Sequence, residues 1–243
     1  MNSRAAVWAL IASAAFSLVS CDHHPTIDSA AIGRIELFQP KGRPNGLVFL
    51  LSDMRGWSSD LTALAKHLRE HGLIVAGVDS RKLVDKLAAG DEQCLSLVDA
   101  FEAASQQIQR DARLDVYFLP VLAGVGEGAT LALAGLWQAG PETIAGAVTV
   151  DFGTELATPR PLCATPPARL ASARRGFDYS PPQRLFGWWQ AAWTGEISND
   201  TRAFAASLGV IPATVQPGLS PPRQLARLFD WSNESVRATR PTR

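Results

Sequence analysis

The chain has 243 residues, 47% of them hydrophobic, and its 23 basic and 23 acidic side chains cancel to zero formal charge. That length and apolar content suffice for one large core in a single domain and exclude a disordered polymer. The charge balance leaves no global field to attract nucleic acid or an anionic surface, so partners must be recognised locally.

Residues 1–20 read as a signal peptide: Arg4 precedes an apolar, small-residue run from Ala5 to Val19 that is too short and too Ala-rich for a membrane span. Leu18-Val19-Ser20-Cys21 resembles the bacterial lipobox, in which small residues precede a cysteine that is lipidated and becomes the new N-terminus. The alternative is a plain secretory signal with a chance cysteine. Asp22 implies, by resemblance to lipoprotein sorting signals, periplasmic retention at the inner membrane. Residues 21–31 are polar and are expected to be a tether, with His23 and His24 solvated, because no further ligands follow at zinc-site spacing. The folded domain is expected over 32–233 and a flexible tail over 234–243. Arg237, Arg240 and Arg243 of that tail could touch anionic headgroups but are more simply solvated.

Within the domain, Gly33–Gln39 alternates like an edge strand and Pro40–Gly46 is a turn-rich connection. Leu47–Leu51 is continuously apolar, as suits a parallel strand covered on both faces. Ser52-Asp53-Met54-Arg55-Gly56-Trp57 follows, then a helix with Ser58, Ser59 and Asp60 as candidate caps and Leu61, Leu64, Ala65 and Leu68 at helical spacing, ending at Gly72. Leu73–Val78 is the next strand, with Asp79-Ser80-Arg81 at its C-terminal end, so the unit is βαβ. Asp91–Arg110 reads as one long amphipathic helix, Ile144–Val150 as a strand ending in Asp151-Phe152, and Trp188–Trp193 as a later strand. Ala203–Leu208 looks helical and Val210–Val215 like a final strand. Strands alternating with helices in this way define an α/β fold with a doubly wound, mainly parallel sheet, whose ligands sit beyond the C-terminal strand ends.

The centre of the chain is Leu114–Trp137, where the apolar run Val116–Leu122 feeds Gly124-Val125-Gly126-Glu127-Gly128 and then an Ala/Leu-rich helix. A strand, a sharp turn and a helix with glycines at 124 and 128 have the build of the G-x-S-x-G elbow that presents a hydrolase nucleophile. Gly126 stands at the nucleophile's position and offers neither oxygen nor sulfur. An ordinary βα turn would also carry such glycines. The strand ends place Ser52, Asp53, Arg55, Trp57, Asp79, Glu127 and Asp151 around one candidate rim.

Phe49-Leu50-Leu51-Ser52-Asp53-Met54-Arg55-Gly56-Trp57, Val75-Ala76-Gly77-Val78-Asp79-Ser80 and the 124–128 elbow together resemble the VirJ/AcvB family of bacterial virulence proteins, over about Leu47 to Ser207. The resemblance implies a periplasmic α/β-hydrolase-like fold linked to type IV secretion and, in AcvB members, hydrolysis of lysyl-phosphatidylglycerol. Gly126 replaces the family's elbow serine and Met54-Arg55 replaces a small pair in the oxyanion loop. In this the chain is most similar to the AcvB N-terminal domain, whose elbow is also degenerate.

In this fold the acid and then the histidine follow the nucleophile. All four histidines, at 23, 24, 67 and 71, precede it, and where the histidine belongs the chain reads Gln216-Pro217-Gly218-Leu219-Ser220. Glu127, Asp53 and Asp151 could form a carboxylate pair for acid–base work, but rim carboxylates more often cap helices. No metal-ligand spacing, phosphate loop or cofactor motif is present, so no metal or cofactor is expected.

Trp188, Trp189 and Trp193 lie with Phe186 in one stretch, suited to a membrane interface or to a core; Trp189 and Trp193 share one strand parity and Trp188 takes the other. Cys94 and Cys163 both fall near C-terminal strand ends, and in an oxidising periplasm a Cys94–Cys163 disulfide is expected, two separate thiols being the alternative.

Three functions fit. The first is a membrane-anchored binding or accessory lipoprotein on a catalytically degenerate hydrolase fold, with a secretion or lipid-handling protein or a phospholipid headgroup as partner. The second is a hydrolase of aminoacylated phospholipid with other catalytic groups. The third is a structural envelope lipoprotein.

Overall fold

The computed structural model describes residues 24–163, 170–173, 176–211 and 218–229. The signal peptide, Cys21, residues 212–215 of the expected last strand, Gln216-Pro217 and the tail from 230 onward lie outside the described residues.

The chain order is β1 (Thr26–Ser29), β2 (Gly33–Phe38), β3 (Gly46–Leu51), α1 (Ser59–Glu70), β4 (Leu73–Val78), α2 (Ser80–Ala88), α3 (Leu97–Asp111), β5 (Val121–Val125), α4 (Glu127–Gln138) and β6 (Gly146–Val150). It continues with β7 (Glu155–Leu156), β8 (Leu170–Ala173), β9 (Gly176–Tyr179), β10 (Trp188–Ala192) and α5 (Asn199–Ser207). A further helix spans 221–229. The main sheet runs β1-β2-β4-β3-β5-β6-β10, antiparallel at β1 and β2 and parallel from β4 to β10.

Both faces of this sheet are covered, which is why β3 and β4 are apolar at nearly every position. Leu47, Phe49 and Leu51 of β3 pack with α2, α3 and α4 on one side, whereas Val48 and Leu50 pack with Leu61, Leu64 and Leu68 of α1 and with Leu225, Leu228 and Phe229 on the other. The layers are those of a doubly wound α/β domain.

Several boundaries differ from the sequence expectations. Residues 24–31 are not a tether: β1 pairs with β2 through Ile27↔Ile35, and His24 packs against Phe38 at a tilt, with ring centroids 4.1 Å apart. One apolar residue between polar ones hid this strand, and β1 rather than β2 is the sheet edge. The helix expected over Asp91–Arg110 begins only at Leu97, behind its cap Ser96, and a separate helix, α2, precedes it over Ser80–Ala88. The strand expected over 116–122 is shifted to 121–125. Ahead of it Gln109 brackets Phe118, accepting from its N–H at 2.7 Å and donating to its carbonyl at 2.8 Å, so backbone bonds go to a side chain instead of a ladder.

A second, three-stranded sheet, β7-β9-β8, is inserted between β6 and β10. It packs along α4, where Tyr179 meets Trp137 edge to face at 5.5 Å. The tryptophans belong to the core. Trp189 and Trp193 are 8% and 7% exposed and enclose Phe152, each with its ring centroid 5.0 Å from it. Their indole N–H groups donate to Thr149 Oγ1 and the Phe152 carbonyl. Trp188, on the other parity, packs against the α1 side of the sheet.

Candidate functional site

The elbow between β5 and α4 is built by close backbone approach. A β-carbon on Gly128 would lie 2.1 Å from the Ser52 carbonyl oxygen, and one on Gly124 would lie 2.4 Å from the Gly128 carbonyl, so only glycine lets the first turn of α4 descend onto the end of β3. Gly126 has φ +56° and ψ −127°, a conformation that strains any other residue. Its N–H donates to the Val150 carbonyl at 2.9 Å and its carbonyl accepts from Ala129 at 3.0 Å. The turn therefore holds the pose of a nucleophile elbow without a side chain.

The loop from β3 supplies what stands over it. Ser52 is buried beneath the rim, not on it: its hydroxyl donates to the Asp53 carbonyl and accepts from Ser80 N–H, and its own carbonyl accepts from Ser80 Oγ. Asp53 to Gly56 closes a tight turn, with Gly56 at φ +98° and its N–H donating to the Asp53 carbonyl at 2.9 Å. Asp53 Oδ2 accepts from Arg55 at 3.0 Å and lies 3.0 Å from the point a β-carbon on Gly126 would occupy.

Trp57 turns away to anchor α1. Its N–H donates to Thr62 Oγ1 at 2.9 Å and its ring lies on Gly77, where a β-carbon would be only 2.7 Å away. Asp79 is the cap of α2, accepting from Lys82 N–H at 3.1 Å and pairing with the Lys82 ammonium at 3.4 Å.

Burial, then the Asp53 charge, then the Glu155 charge raise the Glu127 carboxyl above its ordinary range. Asp151 takes φ +60°, and its two carboxylate oxygens accept from Thr194 N–H and Thr194 Oγ1, both at 2.6 Å. Asp53, Arg55, Trp57, Gly126 and Asp151 line a groove of about 700 Å³, whose far wall is Ser220-Pro221-Pro222. This volume lies within the range of small-molecule sites. Asp60, legible only as a helix cap in the sequence, faces that wall and accepts from Ser220 Oγ at 2.9 Å.

The wall and Asp60 were not legible as site residues, because 160 positions separate Asp60 from Ser220. Each of Asp53, Asp60 and Asp151 has a partner within the protein. Among the described residues no histidine lines the groove. His67 and His71 face one another at 4.3 Å near the other end of α1, about 12 Å along its axis from Ser59. Among the described residues no group of acidic, histidine or cysteine side chains could hold a metal ion. Cys94 and Cys163 are disulfide-bonded, with Cα atoms 4.9 Å apart.

No family model and no curated protein matches the chain. Among solved structures it is similar to Est1E from Butyrivibrio proteoclasticus, with a TM-score of 0.52 at 13% identity, over 88% of this chain and 98% of that one. An α/β serine hydrolase homologue from Coxiella burnetii gives 0.49 at 17% identity, over 92% and 100%. A member of the α/β serine hydrolases without lid from Xanthomonas campestris gives 0.47 at 16%, over 91% and 96%. The Est1E likeness, with the mostly parallel sheet and its flanking helices, makes this an α/β-hydrolase-like fold. At 13% identity the likeness extends to fold and no further.

Proposed function

We propose that this protein is a non-hydrolytic VirJ/AcvB-type lipoprotein, lipidated at Cys21 and held at the periplasmic face of the inner membrane, that acts by binding beside a virulence-associated secretion or phospholipid-handling system. The observation that carries the reading is Gly126 in the nucleophile's pose with the Asp53 carboxylate over it. Acyl transfer by a serine triad needs an attacking atom at the elbow and a histidine to take its proton; Gly126 carries no such atom, and no histidine follows it in the sequence. The Cys94–Cys163 disulfide supports an oxidising compartment. The groove retains ligand-sized space.

A second reading is hydrolysis of lysyl-phosphatidylglycerol with Glu127 as acid, favoured by its raised carboxyl. One experiment separates the two. Purified protein is incubated with a fluorophosphonate and, separately, with vesicles containing lysyl-phosphatidylglycerol, with lipid binding and turnover followed together. Binding without labelling or turnover is the expected result. Turnover abolished by Glu127→Gln would establish the hydrolase, and neither binding nor turnover would leave the structural lipoprotein.

A further inference from the structure

The small sheet is fastened to the body where the α2–α3 connection meets residues 157–163, and the fastening has two layers. The first is non-covalent. Leu95 N–H donates to the Pro161 carbonyl at 2.8 Å and Cys163 N–H donates to the Leu95 carbonyl at 3.0 Å, a short parallel bridge. Gln138 at the end of α4 accepts from Leu97 N–H at 2.8 Å and donates to the Leu95 and Cys163 carbonyls at 2.9 and 2.7 Å. The Arg160 guanidinium donates to the carbonyls of Ala88, Gly90 and Glu92, where α2 runs out of backbone partners.

The second layer is the Cys94–Cys163 bond. Its sulfurs belong to neither core cluster. Both cysteines are partly exposed and line an open groove of about 820 Å³ shared with Lys86, Glu92 and Asp99. The seven-stranded sheet closes without them. A bond so placed tethers a hydrogen-bonded clasp that already holds itself, and it is within reach of a solvent-borne thiol.

We propose that Cys94–Cys163 is a redox-sensitive tie that sets how often the small sheet and residues 157–163 open, without deciding whether the body folds. A dithiol reductant of the thioredoxin class would act in two exchanges. One reductant thiolate attacks a cysteine sulfur, forming a mixed disulfide while the other cysteine leaves as thiolate and takes a proton. The second reductant thiolate then releases the first cysteine. The sulfur–sulfur bond passes to the reductant, and two electrons and two protons end on Cys94 and Cys163.

While the bond is intact, an opened clasp recloses at the high effective concentration of a tethered pair, and reduction removes that advantage. The small sheet adjoins α4, where Gly153 N–H donates to Thr130 Oγ1 at 2.9 Å and the charge of Glu155 in β7 bears on Glu127. None of this depends on what the elbow groove binds.

The test is amide hydrogen exchange on the full chain in three forms: oxidised, treated with dithiothreitol, and as the Cys94→Ser/Cys163→Ser double variant. Exchange at Leu95, Cys163 and Tyr179 is expected to quicken about tenfold or more in the latter two forms, with β3 to β6 unchanged. Identical exchange in all three forms would overturn the proposal. So would acceleration spread over β3 to β6 or global unfolding, which would make the bond a staple of the whole fold. A bond that resists dithiothreitol while the double variant loosens locally would refute its redox sensitivity. Should the double variant not fold, the dithiothreitol-treated native chain decides.

Discussion

Asp53 Oδ2 lies 3.0 Å from the position a β-carbon on Gly126 would take, so a carboxylate stands where a hydrolase would project its nucleophile. Any side chain at 126 must both accept φ +56° and displace Asp53. Gly126→Ser is therefore expected to cost about 1–3 kcal/mol in denaturant unfolding, and to remain unlabelled by a fluorophosphonate. Adding Asp53→Ala should recover part of that loss, since the two residues meet. Strict additivity of the two changes would show that they do not couple.

The outer glycines fail for a different reason. At Gly128 the obstacle is the backbone carbonyl of Ser52 at 2.1 Å, which cannot rotate away. Gly128→Ala should cost at least the ~3 kcal/mol at the upper end of overpacking and leave little folded protein. Gly195, with nothing within 4 Å of its β-position, is the control: its alanine variant should unfold within about 0.5 kcal/mol of the parent.

Glu127 makes stability depend on pH in a stated direction. Its carboxyl is raised in the folded protein above the ordinary value of 4.5, by burial first and then by Asp53 and Glu155, so the folded state holds the proton more tightly than the unfolded state. The penalty of ionising it is absent below 4.5 and grows as pH rises through the folded value. Melting of Glu127→Gln should match the parent at about pH 4 and exceed it at pH 7. The opposite trend, or a carbon-13 titration of Glu127 at or below the ordinary value, would contradict the assignment.

Membrane attachment should rest on Cys21 alone. On the proposed lipoprotein reading, Cys21→Ser should leave an unlipidated precursor without acyl mass, because only a thiol takes the diacylglycerol. Mass spectrometry of the mature N-terminus checks this; an unacylated native protein starting at another residue would end the lipoprotein reading.

The sequence carried the doubly wound sheet in β3 and β4, whose six-residue apolar runs leave no other reading once helices flank them. It carried the elbow in three glycines at alternate positions. It did not carry β1, where Ile27 stands alone, nor α2, where Leu83 and Val84 are buried and Leu87 packs only partly on the core. Nor did it carry the small sheet, whose strands are four residues or fewer. At the site, spacing brought Asp53 and Asp151 to one groove, with Glu127 within the influence of the Asp53 charge, yet their roles depend on partners far along the chain. Thr194 occupies Asp151 across 43 positions, and Ser80 ties Ser52 across 28. Ser52 and Asp79 looked like rim groups because a strand end exposes them in one dimension; in three, one is buried and the other caps a helix.

Trp57 seated on Gly77, with Ser52 bolted to Ser80, gives the groove two unequal walls. The 53–57 side is fixed from beneath at both ends and has little freedom left to lose when a ligand arrives. The facing 218–222 segment is joined to it across the groove by the Asp60–Ser220 hydrogen bond, a contact a ligand hydroxyl or amine can replace in kind. Selectivity for shape thus falls to the fixed wall and adaptation to ligand size falls to the other, so variants that broaden what is bound should arise at 218–222 and those that abolish binding at 53–57.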